Sequence, residues 1–154
     1  LIKWALLLIN GSFVSRGMFI FGEDKIGRKM KQPEIISHQG TRIFYMDFSG
    51  MRNVDEIDEL IRFSKDYIRY QPEKSVITLS NIEGMHFNAE VKNMFSEFIS
   101  GNKMYVSHGA VVGINGLQRI VYNGIMKLTG RDLRSFESIE SAKDWLVSVA
   151  MTKV

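Results

Sequence analysis

The side chains able to do chemistry are few and scattered. There is no cysteine, so disulfides, thiolate metal sites and cysteine nucleophiles are excluded. The three histidines, His38, His86 and His108, sit far apart in segments of different character. A metal site draws on three or four converging ligands; no pair here has ligand spacing, so no metal is expected. No serine or threonine has a nearby base in sequence, and no two carboxylates have the spacing of an acid–base pair. Asp47 lies in an apolar run, where a carboxylate is costly unless paired, and its expected task is to cap the loop that follows.

The junction Gly113-Ile114-Asn115-Gly116 joins a strand end to a helix start, where free backbone N–H groups favour an anion. It lacks the third glycine of a dinucleotide fingerprint and the Lys-Ser/Thr of a P-loop. Gly113, Gly116, Arg119 and Arg131 are therefore candidate anion contacts only, with a tight turn as the plainer alternative. No cofactor is expected.

These residues must be positioned by an alternating series of strands and helices. Ile35–His38 and Thr41–Phe48, separated by Gln39-Gly40, predict a β-hairpin. Asn53, with Glu56 three residues on, predicts a helix to Tyr70 with Ile57, Leu60, Ile61 and Ile68 on one face. Gln71-Pro72 ends it. Ser75–Ser80 is a short buried strand rich in β-branched residues. Asn88 opens a helix striped by Val91, Met94, Phe95, Phe98 and Ile99, and Gly101-Asn102 stops it. Tyr105–Val112 is the next strand. Asn115 and Gln118 open a third helix whose inward face is expected to carry Leu117, Ile120, Val121, Gly124, Ile125 and Leu128, with Tyr122 and Met126 off that face. Leu133–Phe136 is the last strand, and Ser138 opens a last helix with Ile139, Ala142, Leu146 and Val149 inward. The order is β-β-α-β-α-β-α-β-α: an α/β domain with a mixed, mostly parallel sheet of about five strands and four helices.

In such sheets ligands bind beyond the carboxyl ends of the strands. That rule selects the loops 48–53, 80–88 and 113–118. Their Met51, Asn81, Met85, His86, Phe87, Asn88, Glu90, Asn115 and Gln118 form the expected ligand or partner rim, a mixture of amides, Met and Phe that suits binding better than catalysis.

The closing stretch AVVGINGLQRIVYNGIMKLTGRDLRSFESIESAKDWL, together with IFYMDFSG before an acidic helix and VITLSNIEG before Phe87-Asn88, resembles the SpoIIAA-like branch of the STAS superfamily. The resemblance covers about three-quarters of the chain. It implies a STAS-type sheet and a non-catalytic regulatory or protein-interaction module rather than an enzyme, with a protein partner. The alternative reading is a carrier or sensor of a small hydrophobic or anionic ligand. The family's sporulation-type members carry a phosphorylatable serine at the start of the helix that here begins Phe87-Asn88-Ala89-Glu90, and this chain has no hydroxyl there. Glu90 places a fixed negative charge in that first turn, where the helix dipole favours it.

Charge patterning divides the chain. Residues 1–33 carry six Lys or Arg against two acids, while the remainder carries fourteen against fifteen. The basic pI of about 9.2 thus belongs to a leader and not to a basic face on the domain, so nucleic acid is not an expected partner. The expected division is a basic, apolar leader over 1–33 and the STAS-like domain over 34–154. Three readings of the leader stand open: non-native sequence ahead of a start at Met30, a weak membrane-surface anchor flanked by basic residues, or an added hairpin. Its apolar run at Trp4–Ile9 is too short for a span of about 20 residues. Membrane contact is expected only if the leader is native, and a cytoplasmic location is expected for the domain.

Overall fold

The computed structural model describes residues 30–131 and 133–152. The readings of the leader fall almost wholly outside them. The chain divides into two units, Leu1–Lys31 and Gln32–Val154, and the second carries the fold that follows.

Its elements are β1 (Glu34–His38), β2 (Thr41–Asp47), α1 (Val54–Arg69), β3 (Val76–Asn81), α2 (Ala89–Gly101), β4 (Val106–Val112), α3 (Gly116–Thr129), β5 (Leu133–Phe136) and α4 (Ile139–Met151). The five strands lie in sequence order across one sheet. β1 and β2 are antiparallel, and the remaining pairs are parallel. Gln39 and Gly40 both take positive φ, 48° and 79°, the conformation of a two-residue hairpin turn whose twist matches the strands.

Sequential strand order has a consequence for layering. Right-handed crossovers that always step in one direction place every crossover helix on the same face. Accordingly α1, α2 and α3 share one apolar core with Phe44, Met46 and Val111, while among the described residues α4 covers the other face through Ala142 and Leu146 against Ile43, Leu79, Ala110 and Val112.

β4 serves both cores through an irregularity. The register with β3 slips between Val76 and Ile77, so that Val76 pairs with Val106 and Ile77 with His108. The extra residue, Ser107, donates its hydroxyl to the Val76 carbonyl at 3.2 Å. This is a β-bulge; it sends Val106 to the same face as Val111 although they are five residues apart.

The third helix differs from expectation. Its inward face is Val121, Tyr122, Ile125 and Met126, all packed on the larger core, with Ile125 the one fully buried residue. Leu117, Ile120 and Leu128 point outward at 80%, 70% and 77% exposure, and Gly124 is exposed beside them. The helix carries two apolar stripes, and packing selected the one bearing Tyr122, whose hydroxyl donates to the Leu133 carbonyl of β5.

Candidate functional site

The expected rim is held together by its own backbone. Phe48 N–H donates to the Asn81 carbonyl, Gly50 N–H to Glu83, His86 N–H to Met51 and Ile82 N–H to Val112, all between 2.7 and 2.9 Å. Gly113 takes φ of +88° and lies so close to Glu83 that a Cβ there would meet its backbone at 2.5 Å. The three loops therefore form one tied surface.

Most rim residues serve that tie. Met51, Asn81 and Met85 are buried. Asn81 Oδ1 accepts from Glu83 N–H at 3.1 Å, and Asp47 Oδ1 accepts from Ser49 N–H at 3.0 Å in the capping task expected of it. Asn88 caps α2 by accepting from Val91 N–H at 2.9 Å. Asn115 N–H donates to Gln118 Oε1 at 3.4 Å, and Gln118 Nε2 reaches the Met85 carbonyl at 3.3 Å. Phe87 packs against the core, His86 is half-buried, and Glu90 stands exposed in the first turn of α2.

The candidate anion contacts do not converge. Arg119 folds back at the start of α3, its Nη1 donating to Ser135 Oγ at 3.1 Å and its Nη2 to the Ile114 carbonyl at 3.4 Å. Arg131 follows the other end of the helix, about 18 Å along its axis. Gly113 and Gly116 lie at the Arg119 end, where Gly113 abuts Glu83. Among the described residues no group of three His, Asp or Glu could hold a metal ion.

What the fold does assemble is a cavity of about 70 Å3 between the sheet and the helices α2 and α3. Phe95, Phe98, Val111 and Ile125 supply apolar wall, and Thr78, Gln118 and Tyr122 supply polar groups. Arg131 is the one charged residue of the lining among the described residues. Its Nη1 donates to the Lys103 carbonyl at 3.3 Å, while its Nε is buried with no partner among the described residues. Burial lowers the guanidinium's pKa from its ordinary value, because desolvation penalises the charged form.

The roof of this cavity, α3, presents its opposite face to solvent as the Leu117, Ile120, Gly124 and Leu128 stripe. A Cβ at Gly124 would meet nothing within 4 Å, so the middle of the stripe is a notch. The helix has no acidic residue, and Lys127 borders the stripe, whereas Arg119 turns away from it to Ser135 of β5. From sequence, an apolar helix with two stripes signalled core; only the packing shows that one stripe is left over.

No family model, no curated protein and no solved structure matches this chain. No helix among the described residues is long and apolar enough to cross a membrane.

Proposed function

We propose that the domain is a non-catalytic interaction module of STAS type, acting in the cytoplasm, that docks an acidic amphipathic helix of a partner protein on α3. The observation that carries this is the exposed stripe of Leu117, Ile120 and Leu128 around the Gly124 notch. Large exposed apolar side chains on one helix face mark a contact surface. A notch flanked by such side chains accepts a knob from a second helix, a feature that a fluid lipid surface does not require. Lys127, exposed beside the stripe, asks for a carboxylate next to that knob. A second copy fits less well, because α3 has no acidic residue to offer the Lys127 of the other copy.

The STAS reading rests on the element order, on the closing stretch from Ala110 to Leu146, and on Asn88-Ala89-Glu90 at the start of α2. This chain has Ala89-Glu90 and no phosphorylatable hydroxyl at that turn, so docking on α3 is not switched there by serine phosphorylation.

The test uses a stapled helical peptide with leucines at i, i+3 and i+7 flanked by glutamates, and the same peptide with lysines. The acidic peptide is expected to bind and to shift the amide signals of Leu117, Ile120, Gly124 and Leu128, and Ile120→Asp is expected to abolish this. Equal binding of both peptides, binding elsewhere, or a dimer through α3 in the absence of peptide would overturn the reading.

A further inference from the structure

We propose that the cavity under α3 is a binding site for a small aliphatic monocarboxylate, whose carboxylate pairs with Arg131 and whose alkyl chain fills the space between α2, α3 and the sheet. The proposal does not depend on docking at the outer face of α3.

Among the described residues the lining holds one cation, Arg131, and no Asp or Glu. A guanidinium binds a carboxylate through two parallel N–H donors. Here Nη1 is already used on the Lys103 carbonyl, which leaves the Nε side of the fork, and Nε is buried with no partner among the described residues. A buried donor without an acceptor is costly, and more so on a charged group. The fork is also held in place: Gly130 closes α3 in the left-handed conformation, and the Arg131 N–H donates to Thr129 Oγ1 at 3.3 Å. Arg131 is only half-buried, which places the charged end of the site at the surface and the apolar end inside.

Size then selects the ligand. A cavity of about 70 Å3 is about half the ~150 Å3 that encloses the six carbons of a benzene, so it holds a chain of about three carbons, the alkyl part of a four-carbon acid whose carboxylate stays at the Arg131 mouth. Phe95, Phe98, Val111 and Ile125 give the lining a mainly apolar wall, which suits a saturated chain. Occupancy would also brace α3, which contributes a single fully buried residue, Ile125, to the core.

The experiment titrates the full chain with acetate, butyrate, hexanoate and octanoate, and with the matching alcohols, following amide signals by NMR. Affinity is expected to rise about fourfold per added methylene up to roughly four carbons, with a Kd of about 1 mM or tighter at the optimum, and to fall at octanoate. Shifts at Gln118, Tyr122 and Ile125 and slowed hydrogen exchange in α3 are expected to accompany binding. Butanol is expected to bind at least about tenfold more weakly than butyrate, and Arg131→Met to erase that difference. Equal affinity for acid and alcohol in the unmodified chain would sink the proposal even if Arg131→Met failed to fold. So would saturation without a chain-length optimum, or no saturable shift at the three cavity residues.

Discussion

Ile120 and Tyr122 stand two residues apart on α3 and end in opposite environments. Ile120 is 70% exposed, whereas Tyr122 donates its hydroxyl to the Leu133 carbonyl and packs on the core. The helix is thus a partition, with a cavity on one side and an unpartnered apolar stripe on the other.

This partition predicts unequal costs of substitution along one helix. Ile120→Asp is expected to change stability by no more than about 0.5 kcal/mol, as for surface sites generally. Ile125→Ala should cost about 2–4 kcal/mol through lost burial and an enlarged cavity. Urea unfolding of the two variants checks the contrast, and similar costs would mean that the stripe is buried in solution.

Two glycines should respond with opposite signs. Gly113→Ala sets a Cβ 2.5 Å from the Glu83 nitrogen at a positive φ, so a loss of about 2 kcal/mol or more is expected. Gly124→Ala meets nothing within 4 Å inside a helix and should gain about 0.5–1 kcal/mol. The same change fills the notch, so thermal stability should rise while affinity for the acidic helical peptide falls.

Asn88 caps α2 through the Val91 N–H, and Asn88→Ala should cost about 1 kcal/mol. Asn88→Asp keeps the acceptor oxygen and should restore most of that loss in a chemical denaturation series. If the alanine variant matched the original stability, the cap would be idle.

Tyr45 carries the pH dependence. Burial raises its pKa above the ordinary 10.0, the Asn81 hydrogen bond lowers it by less, and the Asp47 and Glu34 charges raise it further. Above that ordinary value the unfolded chain ionises Tyr45 while the folded chain keeps its proton, so the folded state binds more protons and stability falls as pH rises. The contribution is fully present below pH 10 and lost as pH climbs through the folded pKa. Absorbance titration should show Tyr45 ionising late, as the difference between the original chain and Tyr45→Phe, and that variant should flatten the alkaline decline in Tm. An unchanged alkaline slope in that variant would reject this origin.

Much of the architecture was legible along the chain. Alternation and caps located each strand and helix, because Asn53, Asn88, Asn115 and Ser138 mark helix starts by local hydrogen-bonding chemistry alone. The rim amides were legible as polar loop residues but not as ties, since Gln118 finds its acceptor, the Met85 carbonyl, in a segment that only the fold brings near it. The β4 bulge was hidden too: alternation in Val106–Val112 gives no sign that Ser107 is skipped.

What the sequence by itself determined was therefore the order of elements, because turn chemistry and hydrophobic period act within a few residues. The tertiary structure alone decided which stripe of α3 meets the sheet and which is left to solvent. It also decided that Arg131, just past the end of α3, borders an apolar cavity while Arg119, near its start, folds away. Both stripes satisfy the helical period equally; the difference lies in Tyr122 reaching β5 and Ile125 filling the space beneath, contacts that exist only once the sheet has formed.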